Sequence, residues 1–197
     1  MSETIPGPDG RPRCRWHASA PEFLAYHDGE WGFPVGDGRC LFEKLSLEGF
    51  QSGLSWRTIL AKRRNFRAAF HDFDIERIAR FTQRDVARLL KDEGIVRNRA
   101  KIEAVINNAK RALELEGSLA ALLWRYEPNP LARPQTVSTS PESVALSKVL
   151  KKQGWRFVGP TTLYAFMQAM GLVNDHAEGC IIRARVEKAR KAFKRPG

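Results

Sequence analysis

Val158-Gly159-Pro160-Thr161-Thr162 joins two segments that both read as helix. Upstream, Ser140 caps a helix with Pro141 at its first position and Val144, Leu146 and Leu150 inside, and Gly154 ends it. Downstream, a helix opens at Pro160, runs to Met170 and stops at Gly171. A glycine just before a helix lets the backbone come close to a ligand. The free N–H groups that follow, with the helix dipole, suit a phosphate. The segment therefore has the logic of a helix-hairpin-helix, which grips one nucleic-acid strand without reading its sequence. An ordinary tight turn between two packed helices satisfies the same pattern.

The rest of the chain reads the same way. Helices are predicted over residues 21–28, 37–54 and 56–70, with a short one after Asp74. Thr82-Gln83-Arg84-Asp85 resembles a capping box with Asp in place of Glu and opens a helix that stops at Gly94. Residues 98–115 carry Ile102, Val105, Ile106 and Ala109 at helical spacing, and Ser118 opens a further helix to Tyr126. The final helix is expected to begin near Asp175. Residues 128–141, with four prolines, form the one long loop, which could link two lobes. No repeat and no strand alternation is visible, so the expected class is all-α.

A chain of 197 residues suits one domain with a real core. Its 43% hydrophobic and 28% charged residues are those of a soluble globular protein, and no apolar run could span a bilayer, which excludes a membrane role. The first thirteen residues lack the apolar stretch of a secretion signal and read as a loose tail. The net charge of +11 favours a polyanionic partner. Residues 181–197 alone hold seven Arg and Lys against one Glu, so a solubilising tail explains over half of it. Three widely spaced cysteines do not form a secreted disulfide framework and point to a reducing, cytoplasmic setting.

His176 and Cys180, four apart, would share a helix face and could ligate one metal. The other ligands would come from Cys14 with either His17 or His27, tying the chain's two ends together; a buried small thiol and a helix-start histidine are the plainer reading. Trp16, Tyr26, Trp31 and Trp56 gather in the first third of the chain, as core or as a pocket that stacks a flat, even cationic, ring. Glu48 lies on a polar stripe with Lys44, Gln51 and Ser55, and on pattern alone it is a solvated residue near Lys44.

Several separate motifs, in order, closely resemble the bacterial constitutive 3-methyladenine DNA glycosylase family (Tag). They are Tyr26-His27-Asp28-x-Glu30-Trp31-Gly32, Leu47-Glu48-Gly49-x-Gln51-x-Gly53-Leu54-Ser55-Trp56 and Gly94-Ile95-x-Arg97-x-Arg99-x-Lys101-Ile102. Residues 154–180, with Phe157-Val158-Gly159 and Val173-Asn174-Asp175-His176, complete the set. The resemblance implies the helix-hairpin-helix glycosylase superfamily and a catalytic domain over residues 13–182. A disordered tail (1–12) would precede it and a basic tail (183–197) would follow.

The resemblance further implies one structural zinc on Cys14, His27, His176 and Cys180, leaving His17 out and joining the N- and C-terminal segments. It implies a base pocket of Tyr26, Glu48 and Trp56 with Trp31 adjacent, Glu48 being the catalytic group. The backbone-gripping hairpin falls on Val158, Gly159, Thr161 and Thr162. The implied activity is hydrolysis of the N-glycosidic bond of 3-methyladenine in double-stranded alkylated DNA by a cytoplasmic monomer, releasing the free base. Strand-nicking members of the superfamily carry a hairpin lysine where Thr161 stands, so an abasic site is the expected product. The superfamily's catalytic Asp falls on Asn174, and Asp175 is read as a cap of the last helix. The alternative is a zinc-stabilised DNA-binding module without enzymatic activity.

Overall fold

The computed structural model describes residues 3–129, 133–134 and 137–197. Its helices are α1 (Phe23–Gly29), α2 (Gly38–Gln51), α3 (Trp56–Ala69), α4 (Ile75–Ala79) and α5 (Gln83–Lys91), followed by α6 (Arg99–Leu113), α7 (Leu119–Trp124), α8 (Pro141–Lys152), α9 (Pro160–Ala169) and α10 (Ile181–Ala192). Most begin where the sequence places a small polar residue. The side chains of Asp37, Ser55, Asp74, Asn98 and Ser118 each accept a first-turn N–H, and Thr82 and Ser140 form reciprocal capping boxes. Part of the expected loop, residues 130–132 and 135–136, lies outside the described residues.

Helix α2 is the centre. Leu41, Phe42, Leu45, Leu47 and Phe50 are buried on several of its faces, and it packs against α3, α6, α7 and α9. A helix surrounded in this way holds even its polar residues out of water, which is how Lys44 and Glu48 come to be buried. A smaller cluster of Cys14, Ala177, Cys180, Ile182 and Val186 lies apart from this core and joins the ends of the chain.

Four expectations need correction. The all-α reading missed a small antiparallel sheet, β1 (Thr4–Pro6) with β2 (Pro12–Cys14), in which Thr4 faces Cys14. Strands of three residues are too short for alternation to show. Nor are residues 3–12 a loose tail: Arg13, 6% exposed, pairs with Asp9 in the turn and donates to both carboxylate oxygens of Asp28 at 2.9 Å. Residues 1–2 are outside the described residues.

The basic C-terminal segment is likewise docked. Within α10, Ile182, Val186 and Arg190 are buried. Arg190 donates to Glu127 (2.9 Å) and to the Leu172 carbonyl (3.0 Å). Arg195 donates to both oxygens of Glu127, and Phe193 packs on Trp124 with ring centroids 4.6 Å apart. Charge counted from sequence thus overstated what is free for a partner. Finally, α10 begins at Ile181 rather than near Asp175. Residues 175–180 form a loop whose backbone is satisfied otherwise: Arg183 donates to the carbonyls of Asn174 (3.0 Å) and His176 (2.7 Å). No helix among the described residues is long and apolar enough to cross a membrane.

Docking of α10 through Arg190 carries a stability cost when removed. Arg190→Met should lower unfolding free energy by about 2 kcal/mol, because the half-buried Glu127 carboxylate loses one of its two arginines and the buried Leu172 carbonyl loses its side-chain donor. Urea denaturation measures this, and an unaffected midpoint would mean that the segment is a solvated tail after all.

Candidate functional site

Lys44 and Glu48 stand one turn apart on α2, only 4% and 5% exposed. Buried Tyr26 of α1 and half-buried Trp56, the first residue of α3, lie over them, with ring centroids 5.5 Å apart and planes tilted by 42°. The Lys44 ammonium sits among these rings, 4.6 Å from the Tyr26 centroid and 4.3 Å from that of Trp56, and donates to the Tyr26 hydroxyl at 2.9 Å. Glu48 makes no hydrogen bond with any other described residue, so its oxygens have accepting capacity to spare. Burial pushes the Glu48 carboxyl up to about 7 against the pull of the Lys44 charge. Burial likewise brings the Lys44 ammonium down to about 8, with Glu48 opposing. Two aromatic faces and a carboxylate form a receptor for a flat cation. The Trp56 indole N–H is also buried without a partner.

Sequence reasoning placed Tyr26, Glu48 and Trp56 together; in the structure Tyr26 and Trp56 stand against one another and against the Lys44 ammonium, with Glu48 one turn from Lys44 on α2. It took Lys44 as a solvated neighbour and so missed that it occupies the slot at these rings; its spacing from Glu48 was the only signal. Trp31 turns another way, packing edge-on against Trp16 (5.2 Å) and against His176 (4.6 Å). Trp16 itself spans the space between, touching Tyr26 and His27.

The frame of the slot is held from α6. Lys101, 8% exposed, donates to the carbonyls of Phe50 (2.8 Å) and Ser52 (2.5 Å) where α2 ends. It thereby satisfies two groups a helix end leaves open, and fixes the turn that leads to Trp56. Two turns of α6 further on, Asn108 clamps Arg156 in the α8–α9 connection, accepting from its N–H (2.8 Å) and donating to its carbonyl (2.9 Å). Neither residue was singled out for this role in the sequence. The connection runs close over α2. A Cβ on Gly49 would come within 3.3 Å of Phe157, whose own backbone is left-handed at φ +54°.

Within that connection, the Val158 side chain is buried and its carbonyl accepts from Ser147 at 2.7 Å. Only the backbone of Val158 is therefore available to a ligand. Gly159 is the N-cap of α9 with no side-chain cap bond, and Thr161 is exposed beside half-buried Thr162. The first N–H groups of α9 have no partner within the helix and receive no side-chain cap from Gly159.

Cys14, His27 and Cys180 bring their ligand atoms within 4.8 Å of one another, all buried. Cys180 Sγ and His27 Nε2 are 3.6 Å apart. Two such ligands on a tetrahedral zinc would be separated by roughly the same 3.6 Å. The other nitrogen of His27 is held by Asp28 at 2.7 Å, and Asp28 in turn by Arg13. The Ala177 N–H donates to Cys14 Sγ at 3.2 Å. The Cys180 thiol, hydrogen-bonded by Cys14, is held far down, at about 3, and that contact drives the Cys14 thiol up. His176 is not part of this group among the described residues. Its ring lies 4.9 Å from that of His27, and its Nε2 is buried with no partner. Burial first, and then His27, bring His176 down to about 4 and keep it neutral. His17 is turned away, its Nδ1 on the Cys14 carbonyl at 2.8 Å.

Asn174 serves this second site. Its Oδ1 lies 3.0 Å from His176 Nδ1, and its amide donates to Glu187 (2.6 Å) and the Arg183 carbonyl (3.1 Å). Fully engaged, it has no part left for activating water. Asp175 does not cap α10, as the sequence suggested; it accepts from Tyr164 (2.7 Å) and Gln168 (2.9 Å) on α9, six residues ahead of that helix.

Residues 16–184 match the family model described as methyladenine glycosylase. DNA-3-methyladenine glycosylase 1 of Escherichia coli (strain K12) is 47% identical over 178 residues, which cover 85% of this chain and 95% of the relative. A crystal structure of 3-methyladenine DNA glycosylase I superposes with a TM-score of 0.82 at 48% identity, covering 86% of this chain and 98% of that one. A further structure, of a substituted 3-methyladenine DNA glycosylase I in complex with 3-methyladenine, gives a TM-score of 0.82 at 36% identity, with 86% and 96% covered.

The frame can be tested without reference to any ligand. Lys101→Met should lower unfolding free energy by about 2–3 kcal/mol, since two carbonyls at the end of α2 lose their donor. It should also alter the Trp56-dependent fluorescence of the folded protein. A variant with wild-type stability and emission would show that α2 ends correctly without that lysine.

Proposed function

The chain belongs to the methyladenine glycosylase family, and from that premise we propose how its own residues do the family's work. It is a base-excision repair enzyme that hydrolyses the N-glycosidic bond of 3-methyladenine in alkylated DNA and releases the free base. One observation carries the mechanism: a carboxylate, Glu48, buried one turn from the Lys44 ammonium that lies against the Tyr26 and Trp56 faces, with its hydrogen-bonding capacity unspent. Methylation at ring nitrogen 3 makes adenine cationic and weakens the glycosidic bond, because the base can leave neutral. Little acid catalysis is then needed; selection is. The nucleotide flips out at a cost of a few kcal/mol. Tyr26 and Trp56 stack the cationic ring, and Glu48 accepts from its amino edge and balances its charge. Water adds at the sugar carbon.

The hairpin reading assigns the open N–H groups of Gly159, Thr161 and Thr162 to a DNA phosphate. Thr161 offers no amine, so no Schiff base forms with the sugar and the product is an abasic site. A purely DNA-binding module would have no use for a buried carboxylate among aromatics, and that observation favours the enzyme. The free cysteines fit a cytoplasmic setting, and we take the enzyme to act as a monomer.

For the second site we propose one structural zinc held by Cys14, His27 and Cys180, with His176 as the fourth ligand. The partnerless Nε2 of His176 and the ligand spacing support it. Four protein ligands leave no open position, so the metal's part is to fasten the ends of the chain.

Glu48→Gln should fold normally and lose roughly 100-fold in kcat/KM for release of 3-methyladenine, the scale of a buried charge partner removed. The wild-type kcat/KM should fall as pH drops through about 7, where Glu48 takes up its proton, and the variant should lack that limb. Unchanged turnover in the variant would remove Glu48 from the mechanism. Cys180→Ser should lose the bound metal and unfold at a lower temperature. Elemental analysis with calorimetry checks both, and full stability without metal would dismiss the zinc site.

A further inference from the structure

The slot assigned to the cationic ring is not empty of positive charge. Lys44 already places an ammonium against both aromatic faces, at distances typical of a cation–π contact, and its charge acts on that of Glu48, one turn along α2. The rings as they stand are also too close to admit a base, so Lys44 must leave and the rings must part for one to enter. A flat ring held face to face between two others needs roughly 7 Å between their centroids, twice a normal carbon contact, whereas Tyr26 and Trp56 are 5.5 Å apart. A base and the Lys44 ammonium cannot share this space, and two cations beside a single buried carboxylate would repel.

We propose that Lys44 is a specificity-determining residue, the resident cation of the base slot, which a cationic base can displace and a neutral one cannot. This rests on the assignment of the slot to the base. A cationic ring replaces what Lys44 gave: charge against the two faces and charge beside Glu48. A neutral adenine would expel the ammonium and leave Glu48 buried and unpaired. The same exchange runs backwards after cleavage. The glycosidic bond breaks with both electrons going to the base, which becomes neutral. Water adds at the sugar carbon and gives up a proton to solvent. The slot then holds a neutral ring beside a carboxylate, and Lys44 returns to displace it. Lys44 is therefore a filter on entry and an aid to product release.

Other charged groups face Lys44, and none duplicates it. Glu43 and Glu48 lie on its own helix, Glu30 follows the end of α1, and Arg63 of α3 is tied to Glu30 at 2.8 Å. Tyr26 is the acceptor for the ammonium and stays protonated, its hydroxyl pushed well up by burial.

The test is binding of free, uncharged 3-methyladenine and of adenine to the intact enzyme, followed by tryptophan fluorescence or calorimetry. Lys44→Met should bind both neutral bases about tenfold more tightly than the wild type, having no ammonium to expel. Wild-type binding of 3-methyladenine should itself tighten as pH rises through about 8, where Lys44 loses its proton, and the variant should be flat there. Unchanged or weaker binding by the variant would overturn the inference, since Lys44 would then be a neutral bystander or a direct contact to the base. If the variant does not fold, a wild-type affinity independent of pH through about 8 overturns it alone. Wild-type protein that binds 3-methyladenine at no pH would instead defeat the assignment of the slot, and the inference with it.

Discussion

Tyr26 and His27 are neighbours on a helix of seven residues, and they face two different buried sites. Tyr26 covers the slot above Lys44 and Glu48, while His27 meets Cys14 and Cys180. A helix this short has little stability of its own. It is positioned from outside, by Arg13 on Asp28, Asp28 on the His27 ring, and Trp16 wedged against Tyr26 and His27. Fastening the first residues of the chain to the loop before α10 therefore sets where the Tyr26 ring stands. A metal held at the second site, on this reading, contributes to base recognition without touching a base, through the rigidity of one turn of helix.

Most helices were legible because their starts are written locally, in a capping side chain and a residue or two after it. The sheet, the docked C-terminal helix and the position of α10 were not, and each for a physical reason. Arg13 finds its partner at Asp28, fifteen residues on, and Arg190 finds Glu127 sixty-three residues back. No window of sequence contains such a pair. His176 and Cys180 do stand near one another, but on a loop held by Arg183 and Asn174 and not on one face of a helix. The spacing rule pointed to the right neighbourhood through a local geometry that is absent.

The site was legible unevenly. A carboxylate and aromatic residues could be listed from sequence, and the family resemblance joined them. What pattern alone misjudged was burial. A polar stripe of Lys44 and Glu48 on α2 looks solvated because amphipathic helices usually turn such stripes outward. Here α2 is enclosed by its neighbours, so the stripe faces inward under Tyr26 and Trp56. Enclosure of a helix depends on the number of elements packed around it, which is a property of the whole chain.

A receptor for a transient cation faces a difficulty when vacant. A carboxylate buried among aromatic rings is costly unless something positive accompanies it, and protonation is the usual escape. Protonated Glu48 would have lost the charge that favours a cationic ring. On the proposed assignment, an ammonium supplied from one turn away favours the ionised carboxylate and fills the slot, at the expense of having to leave when the substrate arrives. On that proposal, net affinity is the difference between two cations competing for one place. Binding energy is thereby concentrated on the charged state of the base, which exists before the bond breaks and is gone afterwards, and is withheld from the neutral product.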